Sequence, residues 1–155
     1  ILLDRISVPA DIEAELTDSV LRPKARLKEG LALAHSRSAT SSIDSSDGLA
    51  WSLYELSKAS NVGFLIEDIP IPLEVEKFAE SHNLDPLELA LYGGEEYELV
   101  VTLRPELWDT AREAVTQYGT SLNMIGRVIE ETKILCKTQK GIVPMEIRGW
   151  EHFKT

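Results

Sequence analysis

The chain has 155 residues, 43% hydrophobic and 27% charged, which is enough apolar material for one domain with a buried core. Its 16 basic and 26 acidic residues give a net charge of −10, which argues against nucleic acid as the main partner. No apolar run approaches the ~20 residues of a membrane helix, and one cysteine, Cys136, excludes an internal disulfide framework or a cysteine-based zinc site.

Ile1 is not an initiator Met, so a fragment or a processed chain is expected. No basic stretch leads into an apolar one, as a secretory signal would require, and the expected location is cytoplasmic. From Asp11 to Leu21, Ile12, Leu16, Val20 and Leu21 recur at helical spacing until Pro23 stops them. Leu27 to His35 reads as a second helix with Leu27, Leu31 and Ala34 on one face. A Ser-rich stretch then leads through Ile43 to Asp44 as a short strand. Asp47 has the chemistry of an N-cap for a third helix, whose buried side carries Leu49, Leu53 and Leu56.

Val62 to Glu67 reads as a strand, broken by Pro70 and Pro72. Leu73 to His82 is a fourth helix. Asp85-Pro86 starts a short fifth one with Pro at its first position, and Gly93-Gly94 ends it. Tyr97, Leu99, Val101 and Leu103 alternate, so Glu95 to Arg104 reads as a strand. Pro105 opens a helix to about Tyr118. Leu122 to Ile129 and Lys133 to Lys137 look like two strands of a meander. Strands and helices interleave without strict alternation, and the last strands are too close for a parallel crossover. The expected class is α+β: a layered α/β sandwich with a mixed, mostly antiparallel sheet and packed helices.

Three constellations could carry chemistry. In Asp44-Ser45-Ser46-Asp47-Gly48, two carboxylates sit where a strand gives way to a helix start, a seat for phosphate. Carboxylates would repel a polyphosphate unless divalent cations lie between, and magnesium binds through one or two carboxylates plus substrate phosphates. That also reconciles an acidic protein with a phosphorylated ligand. The plainer alternative is an ordinary cap with a Ser-rich loop. In Gly93-Gly94-Glu95-Glu96-Tyr97-Glu98, Glu95 borders the strand end while Glu96 and Glu98 face opposite to Tyr97 and Leu99; the alternative is a helix C-cap and a solvated acidic face. Trp150, after Gly149, offers a flat stacking surface or, alternatively, an anchor for the tail. His35, His82 and His152 form no metal-ligand spacing, and Cys136 reads as a small buried hydrophobe.

Taken together, these motifs resemble the C-terminal domain of the thiamine-monophosphate kinase family. That family belongs to the superfamily of aminoimidazole ribonucleotide synthetase, selenophosphate synthetase and a carbamoyl-dehydrating hydrogenase maturation factor. The matching stretches run in family order: Arg22-Pro23 with Arg26-Leu27, Asp44 to Leu49, Asp85-Pro86-Leu87, Gly93 to Leu99, Ile125-Gly126, and Gly149 to Phe153. Ala25 departs from the pattern where a second Pro is usual, Ser45 where an aliphatic residue is usual, and Glu96 where Asp is usual.

The resemblance implies the fold of the aminoimidazole ribonucleotide synthetase C-terminal domain and transfer of the γ-phosphate of ATP to thiamine monophosphate. It implies Asp44 and Asp47 as magnesium ligands, Ser46 on the ATP phosphates, and Glu95, Glu96 and Trp150 on the substrate. No residue is expected to act as a covalent catalyst. Residues 1–155 would form one domain, the substrate-side half of a two-domain kinase. An N-terminal half absent from this sequence would bring the adenine pocket, further metal ligands and the homodimer contact. By itself the fragment is expected to be inactive. The competing readings are a stand-alone ligand-binding or regulatory module of the same fold, and another ATP-dependent enzyme of the superfamily.

Overall fold

The computed structural model describes residues 10–138 and 140–148. Chain order is α1 (Ala10–Leu21), α2 (Leu27–His35), β1 (Ala39–Asp44), α3 (Leu49–Ser60), β2 (Gly63–Ile66), α4 (Leu73–His82), α5 (Pro86–Tyr92), β3 (Leu99–Leu103), a 3-10 turn (Pro105–Leu107) running into α6 (Trp108–Thr116), β4 (Gly126–Ile129), β5 (Ile134–Thr138) and β6 (Gly141–Pro144). The mixed α+β class expected from the sequence holds, and no helix among the described residues is long and apolar enough to cross a membrane.

The strands form two sheets rather than one. β1 pairs antiparallel with β3, with Ile43 opposite Val100 and Asp44 opposite Leu99. The second sheet has the order β4-β2-β5-β6. In it β2 is antiparallel to β4 and parallel to β5, and β5 is antiparallel to β6. The expected meander of the last strands is therefore wrong: β2 lies between β4 and β5. The parallel pairing has its crossover, because α4, α5, β3 and α6 intervene between β2 and β5.

Gly63 lets the short link from β4 to β5 pass over the end of β2. A Cβ there would collide with the main-chain oxygens of Glu131 and Lys133, and the next residue, Phe64, donates its N–H to Lys133 O at 2.9 Å. Periodicity reports which residues are apolar but not which strands are neighbours, so this insertion was not visible in the pattern.

α3 fills the main core. Leu49, Leu53 and Leu56 are buried as their spacing predicts, against Phe64 and Ile66 of β2, Ile134 and Cys136 of β5, and Leu91 of α5. Leu53 is only 2% exposed, so its burial is worth about 1.5–3 kcal/mol. Cys136 is the small buried hydrophobe expected, and burial pushes its thiol pKa up. A second, smaller core packs Leu33 of α2 with Ala111 and Val115 of α6 against Val101 and Leu103 of β3. Both faces of β3 are thus covered, Val100 packing on the main core and Val101 on the second.

The predicted face of α2 is corrected: Leu27 and Leu31 are 69% and 50% exposed, and Leu33 is the buried leucine. A nine-residue helix carries leucines on more than one side, and only the side facing α6 finds a partner. Pro86 begins α5 as expected, with the Asp85 carboxylate accepting the Leu87 N–H at 2.9 Å.

Candidate active site

The two acidic motifs, far apart in sequence, run side by side in the fold. Each begins or ends at the paired strands: β1 releases the chain at Asp44, and β3 takes it up at Leu99. Beyond that pair, Ser45 N–H donates to Glu98 O at 2.8 Å, Tyr97 N–H to Ser45 O at 3.0 Å and Glu95 N–H to Ser46 O at 2.7 Å. These main-chain bonds continue the ladder after regular strand geometry has stopped.

Regular geometry stops because of the backbone of the second loop. Glu95 and Tyr97 adopt left-handed φ values of 67° and 53°, which no strand accommodates. The predicted strand from Glu95 is corrected accordingly: β3 starts at Leu99, and the expected alternation of Glu96 and Glu98 against Tyr97 does not apply. Such conformations cost about 1–3 kcal/mol each and persist where the surroundings enforce them.

Gly48 fixes the other loop. Its φ of 98° and ψ of 156° belong to a region nearly exclusive to glycine. A Cβ at this position would stand 2.9 Å from Gly93 O and 3.3 Å from Leu91 O, so the α3 entry and the α5 exit touch through a missing side chain. Gly48, not Asp47, is the residue that caps α3, and no side chain caps that end. The predicted N-cap role of Asp47 is therefore wrong. Among the described residues neither the Asp44 nor the Asp47 carboxylate has a hydrogen bond or ion pair, which leaves both free to take a ligand.

Asp44 is exposed, Ser46 and Asp47 are half-buried, and Glu95 is half-buried across the ladder from Ser46. Burial, and then the neighbouring charge of Glu98, push the Glu96 carboxyl up to about 7. Solvent still reaches Glu96, which is exposed by area, so protein crowds it from one side. Five of the six expected site residues thus lie on two adjoining loops. The sixth, Trp150, lies outside the described residues. The last described residue, Arg148, sets its guanidinium 3.9 Å from the centre of the Tyr92 ring, one position before Gly93. Arg148 also pairs with Glu88.

Some supporting residues have structural roles that the sequence motifs did not assign. Ser52, buried on α3, donates to Asp44 O at 3.1 Å and Gly48 O at 3.2 Å, pinning both ends of the first loop. A serine on the apolar side of a predicted helix is the clue that could have found it. Ser45 is 1% exposed, and its hydroxyl has no hydrogen-bond partner among the described residues. Glu98 accepts a two-pronged contact from Arg26, Nε at 2.8 Å and an Nη at 2.6 Å.

Two carboxylates and a serine offer hard oxygen ligands beside a helix start whose first N–H groups no side chain caps. Among the described residues no three His, Cys, Asp or Glu side chains converge as a self-sufficient metal cage. The donor set fits magnesium that completes its shell with substrate phosphates.

Known proteins contain similar chains. The thiamine-monophosphate kinase of Pyrococcus abyssi is 36% identical over 143 residues, covering 91% of this chain and 42% of that protein. That of Nitrosopumilus maritimus is 33% identical over 154 residues, covering 99% and 48%. A solved structure described as AaThiL complexed with AMPPCP and TMP matches with a TM-score of 0.79 at 30% identity, over 98% of this chain and 45% of that one. The chain therefore spans less than half the length of these relatives. A family model described as the C-terminal domain of AIR synthase related proteins matches residues 6–137. By that match, and by a fold shared along nearly its whole length with a solved relative, the chain belongs to the AIR synthase related C-terminal domain family.

Proposed function

We propose that this chain is the substrate-side half of a two-domain enzyme that transfers the γ-phosphate of ATP to thiamine monophosphate, giving thiamine diphosphate. The observation that carries the reading is the ladder joining Ser45 and Ser46 to Glu95, Tyr97 and Glu98, because it sets the loop of Asp44 and Asp47 beside the loop of Glu95 and Glu96. The relatives' names, and the AMPPCP and TMP in the description of one solved structure, support the choice of reaction.

In this reading Asp44 and Asp47 hold magnesium, and Ser46 contacts the ATP phosphates. Magnesium, when bound, neutralises charge on the phosphates. Glu95 and Glu96 orient thiamine monophosphate, and Trp150 stacks on its rings. The helix start after Gly48 offers unpaired N–H groups to phosphate oxygens. Phosphoryl transfer asks the protein mainly for positioning and charge neutralisation, so no residue of this chain serves as a covalent nucleophile. The N-terminal half supplies the adenine pocket, the remaining metal ligands and the contact of a homodimer. The enzyme works in the cytoplasm, and the net charge of −10 on this chain speaks against a nucleic-acid partner.

The test is turnover by the full-length protein with ATP, thiamine monophosphate and magnesium. Asp44→Asn should lower kcat by ~10²-fold or more with the fold intact, because metal-assisted charge neutralisation is worth several kcal/mol and ~1.4 kcal/mol is tenfold in rate. Wild-type activity in that variant at saturating magnesium would remove Asp44 from the metal site.

A further inference from the structure

We infer that Arg26 is a positioning residue for this site, acting through Glu98 to hold both acidic loops in register; the inference rests on the reading of those loops as the phosphoryl-transfer site.

Arg26 lies just before α2, outside either loop. Its Nε and one Nη donate to the two oxygens of Glu98, a fork that a planar guanidinium alone can form. Glu98 carries the first rung between the two loops and the side-chain contact to Arg26. Its side chain accepts from Arg26, and its main-chain oxygen accepts the Ser45 N–H at 2.8 Å. One rotation of Glu98 would therefore loosen the start of the ladder that continues to Tyr97 and Glu95.

That ladder has something to restrain. Two non-glycine residues in left-handed conformations, Glu95 and Tyr97, flank Glu96. Nothing in their own side chains favours that geometry, so external contacts must hold it. Arg26 is itself fixed at its far end. Its other Nη stands 3.7 Å from Glu29, and Glu29 accepts the Thr120 hydroxyl at 2.6 Å. The hydrogen bond to Glu98 is the leading cause that raises the Arg26 pKa, and the Thr120 bond is the leading one that lowers that of Glu29. A continuous path thus runs from the segment after α6, through the α2 entry, to the two loops.

The Arg26 side chain is 23% exposed and that of Glu98 50%. With Glu98 half in solvent, the pair adds little to global stability. Its geometric role is the better explanation for a two-pronged contact across 72 residues of sequence.

The experiment compares wild type, Arg26→Lys, Glu98→Gln, the double variant and the exchanged pair Arg26→Glu/Glu98→Arg in the full-length protein. Arg26→Lys keeps the charge and loses the fork. Steady-state turnover and amide hydrogen exchange of segments 44–48 and 93–98 are measured for each. We expect kcat/KM to fall about tenfold or more in Arg26→Lys, since a small misplacement of a catalytic group costs that much or more. We expect Glu98→Gln to match it, the double variant to fall no further, and the exchanged pair to recover part of the loss. Exchange at the Ser45, Glu95 and Tyr97 amides should quicken in Arg26→Lys while core amides such as Phe64 stay as in wild type. Unchanged exchange in both segments, additive losses, or losses that track the unfolding temperature alone would overturn the inference. The exchange readout needs no substrate, so an inactive wild-type protein would sink the kinase reading and still leave the clamp decided.

Discussion

Replacing Gly48 with alanine isolates the contact between the two loops from everything else in the site. The perturbation has two parts. The backbone at φ 98° and ψ 156° is nearly closed to any residue with a Cβ, a strain of about 1–3 kcal/mol. The added methyl would also press on Gly93 O at 2.9 Å and Leu91 O at 3.3 Å. Those are main-chain atoms at the end of α5 and cannot rotate away, so overpacking adds about 1–3 kcal/mol. Together the loss is roughly 2–6 kcal/mol, or a fall in unfolding temperature of roughly 5–20 °C. Gly119→Ala is the matched control: φ is +75° there, and no atom lies within 4 Å of the would-be Cβ, so only backbone strain of about 1–2 kcal/mol applies. Calorimetric unfolding of both variants in the full-length protein measures the difference. If Gly48→Ala melts no lower than Gly119→Ala, the close approach of α5 is not what demands glycine at position 48.

Two further outcomes follow from the same loops. The Glu96 carboxyl is raised from 4.5 to about 7 in the folded chain, so its contribution is complete below about pH 4.5 and is lost as pH rises through about 7. A glutamine cannot ionise; the unfolding temperature of Glu96→Gln relative to wild type should therefore climb between about pH 5 and 8, and a flat difference would contradict the raised Glu96 carboxyl. Ser45→Ala removes a buried hydroxyl without a partner among the described residues, and should raise stability by about 1 kcal/mol in urea unfolding. A loss of that size would mean that the hydroxyl is hydrogen-bonded after all.

Much of this architecture was legible because local physics decided it. The ends of α2 and α4 coincide with the sequence expectation, since both helices are bounded by proline or a break in apolar spacing. Asp85-Pro86 announced α5 through its cap. What stayed hidden depended on distant partners. The placement of β2 between β4 and β5 is decided by what Gly63 permits its neighbours to do. β6 escaped notice because Gly141 to Pro144 is exposed at a sheet edge and shows no buried alternation. In the site, the residue types of Asp44, Asp47, Glu95 and Glu96 were readable. The left-handed turns at Glu95 and Tyr97 were not, because no glycine marks them. Nor was Glu98 as the meeting point of two loops, since its partner Arg26 lies 72 residues away.

The central position of β2 has a consequence for how the chain is made. All four residues of this strand, Gly63 to Ile66, end up buried, and both of its neighbours, β4 and β5, lie from Gly126 onward. At ribosomal speeds, β2 emerges several seconds before either partner exists. During that interval Phe64, Leu65 and Ile66 form a short apolar segment with open edges, the kind that pairs with the wrong chain. α3 is already made by then and can shield one side of the strand, while the edges stay open. A nascent chain halted before residue 126 is accordingly the species with the greatest need of a chaperone, and completion of β4 and β5 is the event that ends it.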